Sequence, residues 1–479
     1  MRQVRGFAHG PTLNRRRLLA AGGAATGLMV LPGPVSAAPM ERRLRAAPGR
    51  AALVGAGYPD TEVWTYEGGV PGPLLRVPQG GRLRVAVEND LPQETTVHWH
   101  GLRIPLAMDG VPILSQPPIA SGETFVYDFV AKDAGTFWYH PHVRGFEQVE
   151  RGLSGVLIVD EPEPLAVDRD EVWVLDDWRL DQLAQVTEDF GHPMDLSHAG
   201  RLGNTVTVNG RIVEQVPVRA GERLRLRLVN VANARHFALS FEGHRPLVVA
   251  YDGQPVAPHE PEGGLIVLGP AMRADIVLDC EGRPGDRVSI VDRFYQGREY
   301  RLLDLAYDRE APLREDPLDA PRVLASNPVP EPDLRDALTA EIVFEGGMMG
   351  GMSAGMMNGH RTDMRSLMRA GKMWAVNGIV AVGEAMEPTV TVPEGRTAHF
   401  TLVNRTAWPH PIHLHGHHFR VLTRNGAPPP HREWRDTVLL LPEDRVEVAF
   451  VAGIVGDWLL HCHVLEHMAG GMLAVVRVA

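Results

Sequence analysis

For a chain of 479 residues, this one has very little cysteine, lysine or uninterrupted apolar sequence. Two cysteines, Cys280 and Cys462, cannot cross-link a protein of this size, so a disulfide-built scaffold is excluded and any role for them is local. Lysine occurs twice, at Lys132 and Lys372, against 46 arginines, a skew of composition to which we attach no function. The 59 acidic residues outnumber the 48 basic ones and the net charge is −11, so the basic field of a nucleic-acid-binding protein is missing. The one sustained apolar run, Leu18 to Leu31, has 14 residues, short of the roughly 20 needed to cross a bilayer. No membrane anchor is therefore expected. What the chain does have is 44% apolar residues, enough for ordinary cores, with 50 glycines and 39 prolines. That punctuation favours many short strands over long helices. At roughly 100–200 residues per domain, two to four domains are expected.

The N-terminal segment reads as an address. Arg15, Arg16 and Arg17 precede the apolar run, and PGPVSAAP follows it, with small residues suited to cleavage near Ala37 or Ala38. Basic, apolar and small-residue regions in that order mark residues 1–38 as an export signal, and the paired arginines point to the twin-arginine export machinery, which moves folded cargo. A basic surface patch is the alternative. The mature protein is expected to be soluble in the periplasm or outside the cell.

An internal repeat organises the remainder. VPQGGRLRVAVEN (77–89), VRAGERLRLRLVN (218–230) and VPEGRTAHFTLVN (392–404) each place a glycine nine residues before an asparagine: Gly80/Asn89, Gly221/Asn230 and Gly395/Asn404. Apolar and polar residues alternate between them, the period of a strand with one buried face. A second element recurs as DAGTFWYHPH (133–142) and IVGDWLLHCH (454–463). These repeats predict three consecutive all-β sandwich domains, at about 45–162, 163–320 and 335–479, with the Pro- and charge-rich stretch around 311–335 as a linker.

The histidines follow the repeat. Nine and eleven residues beyond the repeat asparagine stand His98 and His100 in the first domain, and His413 and His415 in the third. Five and seven residues beyond Gly135 and Gly456 stand His140 and His142, and His461 and His463. The middle domain offers Leu239, Phe241, Ile290 and Asp292 at the matching places. On a strand, residues i and i+2 share a face, so each His-x-His pair aims two imidazoles one way. Eight histidines so placed predict a metal cluster where domains one and three meet. The third domain adds Cys462 between His461 and His463, with His467 five and Met472 ten residues on, and His410 three residues before His413. Two imidazoles, a thiolate and a thioether are the ligand set of a blue-copper electron-transfer site. Strand alternation turns Cys462 away from its neighbours, so the two sites would share one short stretch of backbone. A Cys280–Cys462 disulfide is the competing use of the cysteines. Cys280 more simply reads as a buried apolar thiol.

HWHG (98–101), HPH (140–142), HPIHLHG (410–416) and HCHVLEHMAGGM (461–472) together resemble the multicopper oxidases, the family of laccases and bacterial cuprous oxidases, over essentially the whole mature chain. The resemblance implies three cupredoxin-like Greek-key domains, the middle one copper-free. It implies four copper ions: a type 1 ion on His410, Cys462, His467 and axial Met472, and a type 2 ion on His98 and His413. The type 3 pair would take His100, His140 and His463 on one ion and His142, His415 and His461 on the other. Four one-electron oxidations of a phenolic donor or a metal ion would then reduce the co-substrate O2 to two waters in a monomeric enzyme. Cys462, His461 and His463 would carry the electrons, and Asp109 resembles the acid the family places near the cluster. An ordinary Asp-Gly turn is the other reading of Asp109. At the position after His467, where many relatives carry an acid, this chain has Met468, so the resemblance supplies no second proton donor there. A non-catalytic copper-binding protein on the same scaffold is the competing class.

Eight of the 17 methionines, Met348, Met349, Met352, Met356, Met357, Met364, Met368 and Met373, fall within 26 residues, where an even spread would put about one. Glycines at 346, 347, 350, 351, 355 and 359 disfavour a helix over the first part, which reads as an exposed, mobile loop. Met364 and Met368 have the spacing of one helical face. Thioethers suit Cu(I), and the segment 346–373 resembles the Met-rich insert of cuprous oxidases, so Met348 through Met368 are a candidate Cu(I) substrate site. A greasy lid over an organic-substrate pocket and a plain spacer are the alternatives.

Overall fold

The computed structural model describes residues 39–479 apart from 315, 317 and 385, and the export segment expected at 1–38 lies outside them. Three β-sandwiches follow one another. The first packs a sheet of strands Met40–Ala51, Thr61–Tyr66, Arg82–Asn89 and Thr124–Val130 against a second sheet that carries His98–His100 and Gly135–His140. The second pairs a six-stranded sheet with a five-stranded one, and so does the third, which adds a two-stranded hairpin. Each sandwich closes on its own apolar core, with Trp99 and Tyr127 in the first, Trp173 and Phe237 in the second, and Phe400 and Trp458 in the third. Among the described residues the longest helix, Met364–Arg369, has six residues.

The glycine-to-asparagine repeat has a mechanical explanation. Gly80, Gly221 and Gly395 hold φ of 77°, 76° and 75° in the turns that feed the repeat strands, a conformation open to glycine at little cost. Each repeat strand then runs parallel to the strand that opens its domain, and the asparagines stand at one register: Asn89 beside Ala46, Asn230 beside Leu175, Asn404 beside Phe344. Every asparagine side chain accepts from the backbone N–H two residues on: Leu91 (3.0 Å), Ala232 (3.0 Å) and Thr406 (2.9 Å). Its amide donates to two backbone carbonyls, those of Gln93 and Ile119, Arg235 and Leu268, or Trp408 and Leu441. The asparagine thus turns the chain and clamps the segment that leads into the next strand. In the outer domains that strand carries the histidines. Replacing Asn230 or Asn404 by Ala strands those groups, at about 1–3 kcal/mol each variant. Denaturant unfolding should show the loss in both, and only Asn404→Ala should also loosen metal retention.

The stretch expected as a linker is laid down along the seam of the first two domains. Asn327 accepts from the Ala134 N–H and donates to the Ala134 carbonyl, both at 2.8 Å, and also meets Gln254 of domain two at 3.0 Å. Leu324, three residues earlier, is buried as well.

Candidate metal centre

The strands bring the two halves of the cluster together in matching register. In the first domain His98 lies opposite His140, and in the third His413 lies opposite His461. All eight histidines of the four pairs are at most 4% exposed. Their ring nitrogens assemble into trios in which every donor lies within 4.8 Å of the others: His98, His413 and His415; His98, His100 and His140; His142, His415 and His461. The matching middle-domain residues Leu239, Phe241 and Ile290 pack in that domain's core, and Asp292 accepts from the Ala238 N–H at 2.9 Å.

Backbone and carboxylate partners decide which nitrogen of each ring keeps its proton. His98 Nδ1 donates to the Asp109 carbonyl (2.7 Å), His413 Nδ1 to that of Asp436 (2.9 Å), His140 Nδ1 to that of Pro141 (3.1 Å) and His461 Nδ1 to that of Cys462 (2.9 Å). His415 Nδ1 donates to the Asp109 carboxylate (2.8 Å). In each ring this leaves Nε2 as a bare lone pair turned inward. His415 Nε2 and His461 Nε2 face each other at 3.0 Å, and His463 Nε2 faces His140 Nε2 at 3.4 Å. His98 Nε2, His413 Nε2 and His100 Nδ1 are buried without any partner. Converging lone pairs repel unless a cation lies between them, so the donor set fits metal ions. Burial, reinforced by neighbouring imidazoles, drives the pKa values of His100, His140, His415, His461 and His463 well below the ordinary range, and these rings stay neutral.

Cys462 ends the strand Gly456–Cys462 and points into the third domain's core, away from its flanking histidines. Its Sγ lies 3.3 Å from His410 Nδ1 and 3.6 Å from His467 Nδ1, and these two nitrogens are 3.1 Å apart. A point equidistant from the three is about 1.9 Å from each, close to metal–nitrogen and metal–sulfur bond lengths. Partners on the far side again set the tautomers: His467 Nε2 donates to the His198 carbonyl at 2.6 Å, and His410 Nε2 meets Thr406 Oγ1 at 2.7 Å. Met472, fully buried in the same core, contributes its carbonyl to the Cys462 N–H at 3.2 Å. Burial pushes the Cys462 thiol up, so a bound cation is what makes its thiolate favourable. Cys280 is free as well, buried in the second domain's core near Tyr307, and the two cysteines form no disulfide.

Asp109 unites the two readings of its sequence. Gly110, at φ 83°, packs so tightly on Val97 that no Cβ fits, and this turn throws Asp109 between His98 and His415. Burial alone would raise its pKa, but His415 and His98 outweigh that and hold the carboxylate ionised.

Several residues at the site carry no sequence signal. Asp436, fully buried, takes two hydrogen bonds from Arg273 (2.8 and 2.6 Å) and lies 3.1 Å from His100 Nε2, while its backbone carbonyl holds His413. Arg273 comes from the middle domain, as does His198, whose carbonyl orients His467. The middle domain's Asn233 donates to Phe146 O of domain one (2.7 Å) and Glu466 Oε1 of domain three (2.9 Å). The domain without histidine pairs therefore positions donor side chains held by the other two. Spacing could not reveal this, because each contact joins residues far apart in the chain.

The methionine segment differs from the expected loop. Ala354–Met357 and His360–Asp363 form a hairpin turned by Asn358 and Gly359, both at positive φ, and Met364–Arg369 is a helix. Glycine disfavours a helix there but is what a tight hairpin turn requires. Met348, Met349, Met352, Met364, Met368 and Met373 line one cavity of about 180 Å³. Met356 stands exposed on the hairpin, and Met357 packs toward Leu367 and Val380. The cavity rests on Ser197, the residue before His198.

Comparison with known proteins agrees with this architecture. Family sequence models described as multicopper oxidase match residues 50–164, 169–296 and 358–479. The crystal structure of a multi-copper oxidase from Pseudomonas thermotolerans is 35% identical, with a TM-score of 0.80 over 93% of this chain and 100% of that one. A laccase-like multi-copper oxidase, CueO, from Ochrobactrum sp., described as having oxidase activity towards lignin model compounds, is 27% identical with a TM-score of 0.75, covering 92% and 97%. The multicopper oxidase MmcO of Mycobacterium tuberculosis is 28% identical over 88% of this chain and 84% of its own. With three matched domains, the shared fold and two buried donor clusters suited to copper, this chain belongs to the multicopper oxidase family, copper-dependent oxidoreductases that use O2.

Proposed function

We propose that the chain is an exported, monomeric four-copper oxidase of laccase type that also oxidises Cu(I). His410, Cys462 and His467, with Met472, would hold the type 1 ion, and His98 with His413 the type 2 ion. His100, His140 and His463 would hold one type 3 ion and His142, His415 and His461 the other. The observation that supports this reading is the run His461-Cys462-His463: His461 and Cys462 belong to different donor trios, and His463 Nε2 faces His140 Nε2 at 3.4 Å. When bound, the coppers supply one-electron chemistry: four electrons, taken singly from donors, reduce O2 with four protons to two waters. The chain's own groups do the rest. The His198 carbonyl, one residue from Ser197 in the methionine cavity, holds the His467 ring, the backbone beside Cys462 gives electrons a short covalent path, and Asp109 and Asp436 orient the rings that converge on the cluster.

The methionine cavity supports Cu(I) as one natural donor. Its thioethers are soft and uncharged, suited to that ion. Trp408 Nε1 donates to the Met348 carbonyl at 3.0 Å, and the Met348 N–H donates to the Ser197 carbonyl at 2.8 Å, so the cavity wall is tied to the segment that contacts His467. Changing Met348, Met349, Met352, Met364 and Met368 together to Leu keeps volume and apolarity while removing sulfur. Steady-state kinetics should show kcat/KM for Cu(I) falling about tenfold or more with phenol oxidation little changed. Equal losses on both donors would refute the Cu(I) role. For the whole reading, copper analysis should return four ions per chain, with a blue thiolate band and oxygen uptake on a phenol. A protein that binds copper yet takes up no oxygen would leave the non-catalytic alternative standing.

A further inference from the structure

A cavity of about 210 Å³ lies where the first and third domains meet beside the cluster, with room for several waters. His140 and His142 form part of its wall, with Arg144 and Phe146 from the same stretch of domain one. Domain three contributes Met468 and Glu384, and Glu384 is the one carboxylate among the described residues that line it. Resting on the four-copper reading above, we propose that Glu384 delivers protons through this cavity to the oxygen being reduced.

Chemistry requires such a group. Each O2 that becomes two waters takes up four protons along with four electrons, and a site sealed from solvent needs a donor within reach of a water chain. Two of the other carboxylates near the cluster are engaged. Asp109 Oδ2 accepts from His415, and Asp436 accepts from Arg273. Glu466, whose pKa burial pushes up to about 7, accepts from Asn233 at Oε1 and leaves Oε2 unpartnered, but it does not line this cavity. Met468 has no proton to give. Glu384 sits half-buried in the loop after the strand Trp374–Val376. Burial raises its pKa, and the charge of Lys372 offsets this only in part, so the carboxyl keeps its proton to higher pH than an exposed glutamate. The other titratable groups on this cavity are His140, His142 and Arg144, and Arg144 is already paired with Glu147 at 2.5 Å. Glu384 would pass its proton along water in the cavity, become a carboxylate, and recover a proton from bulk solvent. No redox change occurs at the residue itself.

The test uses the copper-loaded full chain and the variants Glu384→Gln, which keeps the shape and removes the acid, and Glu384→Asp, which keeps the acid. With saturating donor, Glu384→Gln should lower kcat about 10-fold to 100-fold and flatten the pH dependence of kcat. Copper content, KM for the donor and anaerobic bleaching of the blue band should be unchanged, and Glu384→Asp should recover most of the rate. Independently of turnover, infrared difference spectra of wild type against Glu384→Gln across pH should contain a carboxyl C=O band that outlasts ordinary glutamate ionisation. A Glu384→Gln enzyme within twofold of wild type with the same pH profile would overturn the proposal, and so would absence of that band. If wild type itself consumes no oxygen, the functional reading fails first, and the proposal with it.

Discussion

Cys462→Ser should abolish the blue absorbance and lower oxygen turnover about 10³-fold or more while most of the remaining copper stays bound. The thiolate is the one anionic, soft donor among the three atoms that converge at 3.1–3.6 Å, and a serine hydroxyl is neither anionic nor soft at neutral pH. His461 and His463 would keep their places, because their orientation comes from the strand and from contacts on its other face. The cluster should therefore still load, and only the supply of electrons to it should fail. Copper content, absorption spectra and oxygen uptake on the same preparation separate these effects. A variant that stays blue would mean that Cys462 is not the ligand. The only other thiol, Cys280, is packed in the middle domain's core near Tyr307, with burial pushing its pKa up to about 12.

Asp436→Ala should be the most destabilising single change near the cluster. It leaves the Arg273 guanidinium fully buried, with Asp252 at 3.6 Å as the acid still within ion-pair range. Breaking a buried pair from one side costs about 3–5 kcal/mol. The same change frees His100 Nε2 from its carboxylate, and lost support of this kind weakens metal binding about 10- to 100-fold. Chemical unfolding and copper retention after dialysis read the two effects separately. The double variant Arg273→Met with Asp436→Leu should recover much of the stability, since no uncompensated charge remains, and none of the copper affinity. Recovery of both would mean that Asp436 acts through packing alone. Burial by itself would push the Asp436 carboxyl up, but Arg273 and then His100 hold it well below the usual range. Moderate acid should therefore leave this pair ionised.

The ligand histidines were legible because their spacing is local. A strand puts i and i+2 on one face whatever surrounds it, and the Gly80/Asn89 and Gly395/Asn404 pairs mark where each such strand begins. The opposite facing of Cys462 follows from the same alternation. The methionine segment was only half legible. Its glycines exclude a helix equally well for a loop or a hairpin, and the packing of Met364 and Met368 beside Met348 depends on how the segment meets Ser197 of the second domain.

By itself the sequence determined the all-β sandwiches, the pairing of histidines on strand faces and the turning of Cys462 away from its neighbours, all consequences of residue type and strand period. Tertiary structure alone decided what surrounds those donors. Arg273 on Asp436, the His198 carbonyl on His467, Asn233 joining all three domains and Glu384 lining one cavity with His140 each link residues 87 or more apart in the chain. No periodicity records such meetings. Buried polar groups must find partners or pay full desolvation, and which partner each one finds is settled only when the domains close on one another.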